Sequence, residues 1–110
     1  MTRLGQHYLV NSWYIDPAKL NNEKFLLDLL AKAAEIAGAT ILSKASHKFT
    51  PQGVTAFLLL AESHIAIHTW PEKACAAIDI FTCGAMKTEK AKDYIVKALG
   101  GYSEVTLVQR

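Results

Sequence analysis

Hydrophobic and polar positions change period several times along the chain. Gln6 to Ile15 reads as a first strand, and Asp16-Pro17 stops it, because proline cannot extend a ladder and suits a first helical turn. Leu26, Leu29, Leu30, Ala33, Ile36 and Ala37 then fall at helical spacing, which predicts a helix over Glu23–Ala37. Asn22 supplies its N-cap and Gly38 its stop. Thr40–Phe49 reads as a second strand, with a turn at Pro51-Gln52-Gly53. Val54–Ala61, His64–Thr69 and Ala76–Phe81 read as three more. Ala91, Ile95, Ala98 and Leu99 mark a second helix over Lys87–Leu99, ended by Gly100-Gly101, and Val105–Val108 is a short closing strand.

The order β-α-β-β-β-β-α-β, with runs of adjacent strands, predicts an α+β fold. It is a two-layer α/β sandwich with a mainly antiparallel sheet and two helices on one face. Yet Val54–Leu60 and Cys75–Ile78 are apolar on both faces, whereas a sheet meeting water on one side should alternate. Two helices cover one face only. The second face therefore calls for a homodimer in which two sheets pack face to face.

Length and composition narrow the class. The chain has 110 residues, which fits a single domain over 1–110, and its 51% hydrophobic content excludes a disordered chain. No apolar run approaches the ~20 residues of a membrane helix. The start, Met1-Thr2-Arg3-Leu4-Gly5-Gln6, lacks the apolar region of a signal peptide, so a cytoplasmic protein is expected. The net charge of +2 is too small, and the basic residues too scattered, for a nucleic-acid binder. Cys75 and Cys83 are read as free thiols, since eight residues along one strand keep them apart.

The chemistry concentrates in Glu62-Ser63-His64-Ile65-Ala66-Ile67-His68-Thr69-Trp70-Pro71-Glu72. On a strand, Ile65 and Ile67 share one face, toward the helices; His64, Ala66 and His68 share the other, where a dimer would enclose them. His64 and His68 have the spacing of a helical zinc pair, but four residues of strand span about 13 Å, too far for one ion. No metal is expected.

This block, followed by Ala77-Ile78-Asp79-Ile80-Phe81-Thr82-Cys83-Gly84, closely resembles the small prokaryotic S-adenosylmethionine decarboxylase proenzymes. The likeness extends to Leu4-Gly5-Gln6-His7, Gly38-Ala39-Thr40, His47-Lys48-Phe49 and Pro51-Gln52-Gly53-Val54, and covers nearly the whole chain. The resemblance implies self-cleavage at Glu62-Ser63 into residues 1–62 (β chain) and 63–110 (α chain). Ser63 becomes a pyruvoyl group, the cofactor that forms a Schiff base with substrate. A serine hydroxyl is a weak nucleophile unaided, so it needs a polarised peptide and nearby proton carriers. By resemblance, His68 transfers protons during processing and Thr55 supports it. Cys83 is the proton donor in decarboxylation, Phe49 stacks on adenine, and Glu72 binds the ribose hydroxyls. The implied product supplies aminopropyl groups for spermidine synthesis.

The chain departs from the family pattern at several places. Thr55 stands for a serine, Ser46 for an aromatic residue, Ala56 for a frequent glycine, and Lys73-Ala74-Cys75 for aromatic and glycine residues. Two alternatives follow: a pyruvoyl-dependent arginine or ornithine decarboxylase of the same fold, or an uncleaved regulatory homologue. Retained Phe49 and Glu72 weigh against a substrate without an adenosyl group.

Overall fold

The computed structural model describes residues 3–110. Its elements run β1 (Gln6–Trp13), α1 (Pro17–Leu20), α2 (Glu23–Ala37), β2 (Ile41–Lys48), β3 (Val54–Leu60), β4 (Ser63–Trp70), a 3₁₀ turn (Pro71–Lys73), β5 (Cys75–Thr82), α3 (Thr88–Leu99) and β6 (Tyr102–Gln109). The strands form one six-stranded sheet in the order β2-β3-β4-β5-β1-β6, and the paired neighbours are antiparallel. This is the α+β architecture expected, with α2 and α3 covering one face.

Local chemistry sets the boundaries. Asn22 Oδ1 accepts the Phe25 N–H at 3.0 Å and Gly38 takes a left-handed φ of 81°, so both ends of α2 fall where expected. Four details differ from the sequence expectation. β1 stops at Trp13 because Tyr14 turns left-handed at φ 61°. Asp16 and Pro17 start a short helix, with Asp16 Oδ1 accepting the Ala18 N–H at 2.9 Å. β4 begins at Ser63 itself. β6 is longer than Val105–Val108, because it pairs with β1 along its whole length.

Alternation along the central strands separates two environments. Val54, Ala56, Leu58, Leu60, Ile65, Ile67, Ile78 and Ile80 are buried against Leu26, Leu30, Ile95 and Leu99 of the helices. At ~25 cal/mol per Å² of apolar surface, this layer is the main stabilising term. Among the described residues, the other face carries no helix. Register places Leu59, His64, Phe81 and His7 in one row across it, Phe57, Ala66, Asp79 and Leu9 in the next, and Thr55, His68, Ala77 and Asn11 in a third. Phe57 and Leu59 are 36% and 44% exposed, large side chains left half open to solvent. No helix among the described residues is long and apolar enough to cross a membrane.

His64 lies in the first of these rows. Its ring stacks on Phe57 at 5.7 Å and meets the rings of Phe81 and His7 at 5.9 and 6.3 Å. His7 Nε2 in turn sits 3.3 Å from Asp79 Oδ1, and Arg110 lies over Phe81. Burial, then the neighbouring His7, push the His64 pKa below its ordinary 6.5; Arg110 acts the same way and Asp79 opposes. Between the lowered value and 6.5 the unfolded chain binds more protons than the folded one. Stability therefore rises with pH through that window and falls on acidification below 6.5. Urea midpoints measured as the pH is lowered through that window should drop more steeply for the parent chain than for His64→Phe. Parallel profiles would remove His64 from this role.

Candidate functional site

The functional residues expected from the sequence fall into two groups at opposite ends of β4. The first surrounds Ser63. β3 and β4 are joined by the two-residue turn Ala61-Glu62, with Leu60 paired to Ser63. Hairpins this tight favour turns that are left-handed at the first or at both central residues. Here only Glu62 is left-handed, at φ 59°, a conformation that costs a non-glycine residue about 1–2 kcal/mol. The peptide before Ser63 is thus held in a disfavoured backbone.

Ser63 is 6% exposed, a buried hydroxyl on the first residue of the strand. The Cys83 backbone N–H donates to its Oγ at 3.2 Å, and Cys83 Sγ lies 3.9 Å from the same atom. The thiol also reaches Glu62 Oε2 at 3.8 Å. Met86 Sδ completes the surround at 3.9 Å from Ser63 Oγ. Cys83 is brought here because β5, paired directly with β4, ends at Thr82 beside the start of β4; there Thr82 and Thr88 share a hydrogen bond between their hydroxyls that ties the strand end to the start of α3. Met86 escapes a sequence reading: a methionine between an alanine and a lysine carries no motif.

The second group lies past the middle of β4. Thr55 and His68 are direct partners across the β3–β4 pair, with Thr55 Oγ1 and His68 Nδ1 hydrogen-bonded at 2.9 Å. The threonine that stands for serine thus keeps its hydroxyl on the imidazole. Phe49, Thr55, His68, Trp70 and Glu72 line one pocket of about 290 Å³. Larger depressions of about 650 and 630 Å³ lie beside α2, but they are open surface features. The smaller pocket is the one that gathers an aromatic ring, an imidazole and a carboxylate.

Backbone tethers fix that pocket. Phe49 N–H donates to the Gly53 carbonyl at 2.8 Å, and Gly53 N–H donates to Asn21 Oδ1 at 2.9 Å. Gly53 takes φ 107°, and a Cβ there would sit 3.3 Å from the Thr69 carbonyl oxygen. Thr69 is buried; its hydroxyl donates to the Leu20 carbonyl at 2.7 Å and accepts the Val54 N–H at 2.9 Å. The sequence pointed to neither Asn21 nor Thr69 as an anchor, because both act through contacts distant along the chain. Trp70, whose indole is 41% exposed in the pocket, was seen only as part of a motif.

The departures from the family pattern are accommodated locally. Ala56 is fully buried under the helices. Ser46 Oγ donates to Glu23 Oε2 at 2.6 Å, tying β2 to the start of α2. Ala74 takes a left-handed φ of 53°, a position where glycine costs least. Both thiols are free.

One finding separates the two groups. Ser63 and His68 lie five residues apart on one strand, so at ~3.3 Å per residue they are about 16 Å from each other. Within a single chain, Ser63, Glu62 and Cys83 come together; His68, Thr55, Phe49 and Glu72 come together; the two sets do not meet.

Comparison with known proteins identifies the family. A sequence profile described as S-adenosylmethionine decarboxylase matches residues 6–110. A protein of Prochlorococcus marinus (strain MIT 9313) named S-adenosylmethionine decarboxylase proenzyme is 48% identical over 98 residues, covering 88% of this chain and 78% of that one. A protein of the same name from Anoxybacillus flavithermus (strain DSM 21510 / WK1) is 40% identical over 107 residues, covering 97% and 86%. The crystal structure of the adenosylmethionine decarboxylase of Aquifex aeolicus superposes with a TM-score of 0.93 at 35% identity, covering 100% of this chain and 92% of that one. With that match spanning both halves of the site, the chain belongs to the S-adenosylmethionine decarboxylase family.

Proposed function

We propose that this protein is a self-cleaving proenzyme that decarboxylates S-adenosylmethionine with a pyruvoyl group made from Ser63. The observation that carries the reading is Ser63 itself, a buried hydroxyl following a left-handed Glu62, with the Cys83 N–H and thiol against its Oγ.

The chemistry follows from those positions. Ser63 Oγ attacks the Glu62 carbonyl carbon; the C–N bond breaks, an ester forms and the Ser63 amine is freed. A base then removes the Ser63 α-proton, and the ester C–O bond breaks, leaving residues 1–62 with a new carboxylate. Residue 63 becomes dehydroalanine, which takes up water and loses ammonia to leave a ketone at the start of residues 63–110. The surroundings suit these steps: residue 63 is enclosed, and the Cys83 backbone N–H is aimed at the oxygen that leaves with the new carboxylate. The ketone supplies a carbonyl that takes the substrate amine and draws off the electrons left by carbon dioxide. Cys83 holds the proton that replaces the carboxylate on the α-carbon; a thiol is mostly protonated at neutral pH. Phe49 offers a face to adenine, and the Glu72 carboxylate accepts from the ribose hydroxyls. The decarboxylated product is an aminopropyl donor of the kind spermidine synthesis consumes. A pocket with Phe49 and Glu72 beside His68 favours an adenosyl substrate over arginine or ornithine, which offer neither a flat base nor a ribose.

His68 and Thr55 assist maturation from a second copy of the chain. The uncovered face, with Phe57 and Leu59 half exposed, is apolar enough to pack on itself. A two-fold axis between the sheets, crossing β4 near its middle, turns the partner strand end for end. The Ser63 end of β4 in one copy then lies over the His68 end of β4 in the other, and the ~16 Å gap is bridged. Free thiols at Cys75 and Cys83 fit a reducing, cytoplasmic setting.

Three experiments test the reading. Intact mass of purified protein should give two fragments split between residues 62 and 63. Ser63→Ala should remain one chain of 12.1 kDa without activity. Cys83→Ala should cleave yet turn over about a hundredfold more slowly, on the scale of a lost general acid; near-normal turnover would reject the assignment. Co-expression of Ser63→Ala with His68→Ala tests the shared site. Each alone should stay uncleaved, while the mixture should cleave the His68→Ala chain. Absence of that rescue would argue for sites complete within one chain.

A further inference from the structure

Glu62 is read above only as the residue whose carbonyl is attacked, and its side chain has no task in that account. Three observations give it one. Glu62 Oε2 lies 3.8 Å from Cys83 Sγ, and Cys83 Sγ lies 3.9 Å from Ser63 Oγ. The three groups form an array that runs from solvent to the reacting atom, since Glu62 is exposed and Ser63 is buried. The left-handed position in so tight a turn suits glycine, asparagine or aspartate better than a long side chain, so the backbone gains nothing from glutamate.

We propose that the Glu62 carboxylate is a positioning residue for decarboxylation, which orients the Cys83 thiol and returns its proton after each turnover. This rests on the assignment of Cys83 as proton donor. When Cys83 gives its proton to the substrate α-carbon, a thiolate is left. Glu62, open to water, takes a proton from solvent and passes it to Sγ; the S–H bond re-forms and the carboxylate is restored. Proton count balances, because one proton enters from water for each one that leaves with the product. No oxidation is involved. Residue 62 stays at the end of the 1–62 fragment after cleavage, and β3, which carries it, remains paired on both sides.

Cleaved Glu62→Gln, its maturation checked by intact mass, should lose about tenfold in kcat with KM little changed, the loss growing toward alkaline pH. Glu62→Asp should recover part of the rate. A structural role alone would leave the pH profile in place. A second measurement needs neither maturation nor turnover. In the uncleaved Ser63→Ala, Cys75→Ala chain, the rate at which iodoacetamide alkylates Cys83 should change about threefold once Glu62 is replaced by Gln, because the carboxylate in contact with Sγ is gone. An unchanged alkylation rate, or an unchanged pH profile in the cleaved variant, overturns the proposal. Normal turnover by Cys83→Ala would instead overturn the assignment on which it rests, and the alkylation result would still report the Glu62–Cys83 contact.

Discussion

A straight strand cannot bring its own ends together, and this constraint organises the molecule. β4 carries Ser63 at its first residue and His68 five residues later, on a segment whose rise keeps them about 16 Å apart. β4 is held between β3 and β5 along its length and cannot bend back. One chain thus offers two incomplete sets of groups, each well built. Ser63, Glu62 and Cys83 form the set that holds the Glu62-Ser63 peptide bond and the thiol. Thr55, His68, Phe49 and Glu72 form the set with the pocket.

The same strand accounts for the uncovered face. Ile65 and Ile67 have no exposure because they face the helix layer, where α2 packs on β4, and the alternation that points them inward points His64, Ala66 and His68 outward. The outward residues meet Phe57, Leu59 and Phe81, so the face that carries half of the chemistry is also the one lacking a cover. Enclosure of that face would raise the strength of every charge and hydrogen bond on it. A packing requirement and a chemical requirement therefore point to the same surface.

Much of this was legible in the sequence because it is periodic. The α2 stripe, the Asn22 cap, the Gly38 stop and the split of Ile65 and Ile67 from the histidines all follow from local spacing, and each is found. The apolar runs on both faces of β3 and β5 announced the uncovered face. The residues with chemistry were legible as a motif, which names them without saying which ones touch. Contacts set by register were not legible. Thr55 pairs with His68 and Cys83 meets Ser63 through strand pairings that join residues 13 and 20 positions apart. Met86, Asn21 and Thr69 have no periodic or motif signal at all; they matter through single atoms placed by the tertiary fold. β6 was underestimated for a related reason, since the part beyond Val105–Val108 is held by pairing to β1 rather than by its own apolar pattern.

The chain's departures from its family also make physical sense once placed. Thr55 lies in the row of the open face that holds His68 and keeps its hydroxyl on that imidazole. The methyl of Ala56 goes to the helix side and fills core volume. Ala74 is less comfortable, taking a left-handed turn between the 3₁₀ segment and β5, yet its N–H still bonds to the Pro71 carbonyl and its carbonyl accepts from Ile15. These changes fall on the walls and supports of the site. Around Ser63 and on His68 the contacts are single hydrogen bonds, where a displacement of an ångström would separate a hydroxyl from its partner.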